Sequence, residues 1–174
     1  MSVEIERKFL VRNASWRGQV IESVHLRQGY LANTPACSIR VRMTPGHGWL
    51  SIKGMQPGRA RPEYEYDILE SDATEMLAEF VDGPSIEKFR HQVPVGRHRF
   101  EVDEFHGGNE GLVLAEIELR AVDEEFSRPP WLGDEVTDDA RYYNFRLASE
   151  PFNAWPEAER RAALMGRRSA RDAR

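Results

Sequence analysis

The chain has 174 residues, 40% of them hydrophobic and 30% charged, with a net charge of −5. That is enough apolar content for one globular domain with a sizeable core, and the acidic balance argues against a dedicated nucleic-acid partner, whose binder is usually basic. Cys37 is the only cysteine, which excludes an intrachain disulfide and fits a reducing compartment; no basic start leads into an apolar run and nothing reaches the length of a membrane span, so the expectation is a soluble, cytoplasmic protein with no membrane partner.

The N-terminal stretch Glu4-Ile5-Glu6-Arg7-Lys8 opens a predicted strand from Val3 to Val11. Successive side chains of a strand point to opposite faces, so Glu4, Glu6 and Lys8 share one face, with the two carboxylates about 6.5–7 Å apart along it. Both can lean onto one hard cation, with the Lys8 ammonium a step further on; a plain solvated face would show the same alternation. A polar loop around Trp16 follows. Strands are predicted over Val20–Ala32, Cys37–Thr44, Trp49–Lys53 and Arg61–Glu70, separated by turn signals such as Pro45-Gly46-His47-Gly48 and Pro57-Gly58. Ser71-Asp72 with Glu75 starts a helix carrying Met76, Leu77, Phe80 and Val81 at helical spacing, and Gly83-Pro84 stops it. Three more strands are predicted over Ser85–Val93, Arg97–Phe105 and Leu112–Ala121, making eight. Pro129-Pro130-Trp131 and Gly133 then break the strand rhythm, and Thr137 or Asp138 can cap a helix to about Ala148. Beyond Pro156 the sequence is charged and helix-forming, and reads as surface helix passing into a disordered end.

Taken together, the strand faces carry alternating carboxylates at Glu4/Glu6, Glu63/Glu65 and Glu116/Glu118, with Asp103, and alternating bases at Arg40/Arg42 and Lys88/Arg90, supported by Lys8, Lys53 and Arg27. On most of these strands the intervening residues are apolar. An antiparallel sheet with its polar face in water gives this pattern, as cross-strand ion pairs on an open surface. Eight strands can also close into a barrel whose interior holds side chains or one small ligand. A bore lined with both signs suits a polyphosphate, since arginine and lysine match phosphate oxygens and clustered carboxylates collect an oxygen-seeking divalent cation that bridges to them. The residues alone leave both readings open. The histidines (His25, His47, His91, His98, His106) lack metal-ligand spacing, and Trp16, Trp49, Trp131 and Trp155 read as packing residues.

Glu4-x-Glu6-x-Lys8 resembles the ExExK signature of the CYTH superfamily, the triphosphate tunnel metalloenzymes. The resemblance continues through Gln28-Gly29-Tyr30-Leu31, Arg40-Val41-Arg42, Ser51-Ile52-Lys53, Glu63-Tyr64-Glu65, Lys88-Phe89-Arg90, Glu101-Val102-Asp103 and Ala115-Glu116-Ile117-Glu118-Leu119. Gly133-Asp134-Glu135-Val136-Thr137 with Tyr142-Tyr143-Asn144 is similar to the C-terminal stretch of short bacterial members. The resemblance implies a β-dominated α+β fold, an eight-stranded antiparallel β-barrel forming a tunnel with helices packed outside, over residues 1–150, and leaves 151–174 as the charged tail. It implies a triphosphate held by Lys8, Arg40, Arg42, Lys53, Lys88 and Arg90. Mg2+ or Mn2+ would sit among Glu4, Glu6, Glu63, Glu65, Asp103, Glu116 and Glu118. Catalysis would centre on Glu4, Glu6, Lys8 and Glu118. Arg27 and Tyr30 match less closely, and Tyr30 is taken as packing. The expected reaction is metal-dependent hydrolysis of a small-molecule triphosphate, foremost inorganic tripolyphosphate to diphosphate and phosphate. The alternatives are a class IV-type adenylate cyclase, a thiamine or nucleoside triphosphatase, and a non-catalytic polyphosphate-binding module. A homodimer is left open.

Overall fold

The computed structural model describes residues 5–54, 62–81 and 83–167. Among the described residues nine strands form one sheet: β1 (Ile5–Val11), β2 (Glu22–Asn33), β3 (Cys37–Thr44), β4 (His47–Gly54), β5 (Glu63–Ile68), β6 (Ile86–Val95), β7 (His98–Phe105), β8 (Val113–Leu119) and β9 (Leu132–Glu135). Their order is β5-β4-β3-β2-β6-β7-β8-β1-β9, with every neighbouring pair antiparallel. Helix α1 (Glu70–Glu79) follows β5, and α2 (Asn144–Ser149) and α3 (Glu157–Leu164) follow β9.

Two features correct the expectation of a closed eight-stranded barrel. A ninth strand exists, and it pairs with the edge of β1 that closure would need, at Phe9↔Glu135 and Val11↔Leu132. The sheet therefore ends at β5 on one side and β9 on the other, and these two edges are not neighbours. It is nevertheless strongly curled. Tyr30 of β2 lies within electrostatic reach of Lys8 on β1 and Glu116 on β8; a flat sheet would set β2 and β1 about 19 Å apart at the usual strand spacing. Curling makes one face concave.

The convex face carries two apolar layers. Phe9, Val11, Val93, Phe100, Val102, Ala115, Ile117 and Leu119 alternate with the charged residues of their strands and pack beneath Trp16, Trp131 and Leu132. On β2–β4 the convex face is covered by α1, whose Ala73 and Leu77 sit on Val41 among Leu31, Met43, Leu50 and Ile68. Two glycines let the helix this close: a Cβ on Gly29 would stand 2.5 Å from Val81 Cγ2, and one on Gly48 would stand 2.7 Å from Ala73 Cβ.

The concave face is divided along its length. At one end Leu10, Ile86, Phe105 and Leu114 continue the strand positions of the charged residues, two places on. They pack with Val136, Tyr142, Leu147, Phe152 and Ala163. So α1 lies outside the sheet as expected, whereas the C-terminal segments plug one end of its hollow. Of the residues predicted as a charged tail, Phe152 and Ala163 are buried in this plug. Just past α3, the carbonyl of Gly166 accepts from the Asp134 N–H of β9 at 2.8 Å.

Candidate active site

Strand register places the charged residues on the concave face. Cross-strand partners share a face, and the pairs Glu6↔Glu118, Lys8↔Glu116, Glu101↔Glu116, Arg90↔Asp103, Arg40↔Ser51, Ser51↔Glu65 and Lys53↔Glu63 run around it. Lys8, Arg40, Arg42, Lys53, Lys88 and Arg90 thus reach one surface from four strands, with Glu6, Glu63, Glu65, Asp103, Glu116 and Glu118 among them. Glu4 lies outside the described residues. Arg27 pairs in register with Met43 and Glu87 on the opposite, convex face, and so does not join this set.

The deepest part is a buried ion network. Asp103 is fully buried and Lys88 nearly so. Arg90 grips Asp103 with Nε and Nη2, both at 2.7 Å, and Lys88 Nζ donates to Asp103 Oδ2 at 2.5 Å. The same guanidinium donates to Glu116 Oε2 at 2.9 Å and contacts Glu101. Lys8 Nζ stands 2.7 Å from the other Glu116 oxygen and 3.6 Å from Glu6. Burial penalises each of these charges, and for most of them the partners outweigh it. Burial would lower the Lys8 ammonium, but Glu116 and then Glu6 hold it above its ordinary value. Burial would raise Glu116, but Lys8 and Arg90 depress it strongly; Asp103 is likewise depressed, by Arg90 first and Lys88 second. Lys88 is the exception, lowered because burial prevails over its contact with Asp103. Arg90, ahead of Lys88, keeps Asp103 ionised.

Toward β5 the pairs are looser and wetter. Arg42 Nη2 meets Glu65 Oε2 at 3.1 Å and lies over the Trp49 ring, 5.1 Å from its centroid. Arg40 Nη2 stands 3.6 Å from Glu63 and 3.9 Å from Glu65, while Lys53 Nζ is 3.2 Å from Glu63. Burial, followed by the neighbouring Arg40, lowers Arg42.

Several residues join the site that sequence reasoning did not place there. Ser51, buried, donates to Glu65 at 2.7 Å. Glu101 pairs with Arg90 and accepts from Gln92 Nε2 at 3.0 Å. Tyr30 faces the charged set beside Arg40, its phenol pushed up by burial. Their signal was positional, since Ser51, Glu101 and Gln92 each sit two residues from a recognised charge on the same strand. At the plugged end, Lys8 Nζ lies 5.9 Å from the ring centroid of Tyr143, whose hydroxyl donates to the Thr137 carbonyl.

Among the described residues, no three histidine, cysteine or acidic side chains gather into a self-sufficient metal cage. Glu6 and Glu118 do face each other directly across β1 and β8, and no hydrogen bond or ion pair of Glu118 is seen among the described residues. Like charges on directly paired positions repel. Their all-oxygen character suits a hard divalent cation that completes its shell with water and phosphate oxygens.

Residues 2–146 match the family model described as the CYTH domain. An inorganic triphosphatase of Acetivibrio thermocellus is 41% identical over 157 residues, covering 90% of this chain and all of that protein. One from Nitrosomonas europaea is 40% identical over 152 residues, covering 83% and 96%. A solved crystal structure of an inorganic triphosphatase superposes with a TM-score of 0.64 at 38% identity, over 85% of this chain and 95% of that one.

Proposed function

The chain belongs to the CYTH domain family, and from that membership we propose that it is a metal-dependent hydrolase that splits inorganic tripolyphosphate into diphosphate and phosphate on its concave face. The observation that carries the reading is the collection of six basic side chains from β1, β3, β4 and β6 on one curled surface, interleaved with carboxylates. Triphosphatase relatives at about this identity supply the reaction class.

The residues divide by how firmly they are held. Lys8, Lys88 and Arg90 are fixed by Asp103 and Glu116 before any substrate arrives, so their charges point into the hollow without reorganisation, which is where electrostatic stabilisation is most effective. Arg42 and Lys53, paired with half-exposed Glu65 and Glu63, can exchange those partners for phosphate oxygens at little cost. Bases at both ends of the set span a linear polyanion and align its terminal phosphorus. In hydrolysis the oxygen of water bonds to the terminal phosphorus, the anhydride P–O bond breaks, and diphosphate leaves with the electron pair while the water proton passes to solvent or a carboxylate. Glu6 and Glu118 would hold Mg2+ or Mn2+, joined by Glu116 and, from outside the described residues, Glu4. Such a cation neutralises phosphate charge and makes bound water a better nucleophile. Glu63 and Glu65 would serve the outer end of the chain of phosphates.

The test compares Arg42→Ala with Glu118→Gln in phosphate release from tripolyphosphate, with cyclic AMP assayed on ATP in parallel. Arg42→Ala should act mainly on KM and Glu118→Gln mainly on kcat, the latter by about a hundredfold. Cyclic AMP formation without phosphate release would move the chain to the cyclases. Tight binding without turnover would leave a polyphosphate-binding module.

A further inference from the structure

Gln28 lies midway along β2 on the concave face, at the register position between Arg42 of β3 and Ile86 of β6. Its side chain is almost entirely buried, 2% exposed, yet Nε2 makes no hydrogen bond to the described residues. Burying an amide donor without an acceptor is costly, and an unbranched apolar side chain would fill the same space beside Leu26 and Ile86 without that cost. On the next strand Nε of Arg40 is also buried and makes no hydrogen bond among the described residues. Two N–H donors therefore stand on adjacent strands of one face, beside the Arg42 guanidinium and the Tyr30 phenol. The carboxylates beside Arg40, Glu63 and Glu65, accept instead from Lys53, Ser51 and Arg42. An oxyanion with several lone pairs matches both the donors and the surrounding positive charge.

We propose that Gln28 is a substrate-binding residue whose amide Nε2 donates to an oxygen of the phosphoryl group held by Arg40 and Arg42. The assignment rests on the triphosphate reading of this face. A neutral donor at this point reads the position of one oxygen without adding charge to an already basic surface, so its effect falls on registration of the polyphosphate.

The test uses the full chain and two near-isosteric variants, Gln28→Met and Gln28→Glu. Thermal melting is followed with metal chelated, with and without tripolyphosphate, and KM and kcat are measured with magnesium. Without ligand, Gln28→Met should melt at or above the wild-type temperature, because a buried unpaired donor has been removed. Its KM for tripolyphosphate should rise about tenfold or more, and the tripolyphosphate-induced rise in melting temperature should shrink. Gln28→Glu should lose more, since it turns a carboxylate toward the phosphates. Gln28→Asn, which withdraws the amide by one methylene, replaces the methionine variant should that fail to fold, with the same weakening expected. Either near-isosteric variant binding tripolyphosphate as the wild type does overturns the assignment while leaving the triphosphate reading intact. A wild-type chain that neither melts higher with tripolyphosphate nor hydrolyses it overturns both.

Discussion

Arg90 is the residue on which the buried half of the site depends. It satisfies both oxygens of Asp103 and one of Glu116, and both carboxylates are buried. Replacing it with methionine leaves buried Asp103 short of its main counter-charge and Glu116 with Lys8 as its chief remaining one, a loss of about 3–5 kcal/mol of stability by the precedent of broken buried pairs. Urea unfolding of Arg90→Met against wild type measures it; a difference under 1 kcal/mol would contradict the network. The same groups set the acid limit. Glu116 and Asp103 have folded pKa values below their ordinary 4.5 and 3.8, so the unfolded chain takes up protons first as pH falls. Their contribution is complete above those ordinary values and drains away as pH drops through the lower folded ones. Lys8 acts in the opposite sense, its raised pKa giving stability that is complete below 10.5 and lost only in stronger alkali. Urea midpoints should therefore hold from pH 7 to about 5 and fall below 4, and Glu116→Gln should flatten that fall. An unchanged slope in the variant would show that other carboxylates carry the acid transition.

Among the elements, α1 and β9 show how far sequence reaches. The helix was legible because Met76, Leu77, Phe80 and Val81 recur at helical spacing between a polar start and Gly83-Pro84, and it forms over Glu70–Glu79. Its seat was not, because the Gly48–Ala73 approach brings together residues that only the folded chain makes neighbours. Gly48→Val should push α1 off β4 and cost about 1–3 kcal/mol, read as a lower melting temperature, while Gly18→Ala, in open space, should cost far less. The charged strands were legible for a similar local reason. In β1, β6 and β8 charge alternates with apolar residues over enough positions to fix which residues share a face. β9 has four residues, Leu132–Glu135, with a single large apolar side chain, too few to show a period. It exists because β1 offers it an edge, and by taking that edge it leaves the sheet open. The apolar plug was hidden in the pattern: Leu10, Ile86, Phe105 and Leu114 lie in phase with Lys8, Lys88, Asp103 and Glu116, two residues away. A change from charged to apolar along one face marks where a bore ends. Gln28 shows the remaining gap, because burial without a partner is a property of the assembled sheet and not of any local stretch.

At the scale of the whole molecule, a chain of net charge −5 gathers six of its bases on one concave surface. Net charge would steer an anion away, whereas a lined hollow focuses the local field of its bases and attracts it. The central claim is that this surface hydrolyses the terminal anhydride of tripolyphosphate. The direct measurement is 31P NMR of tripolyphosphate incubated with the wild-type chain and magnesium, beside a chelated control. The central-phosphorus resonance of tripolyphosphate should disappear while diphosphate and phosphate grow in equal amounts, in the magnesium sample alone. Resonances unchanged in both samples, or phosphate growing alone without diphosphate, would contradict it.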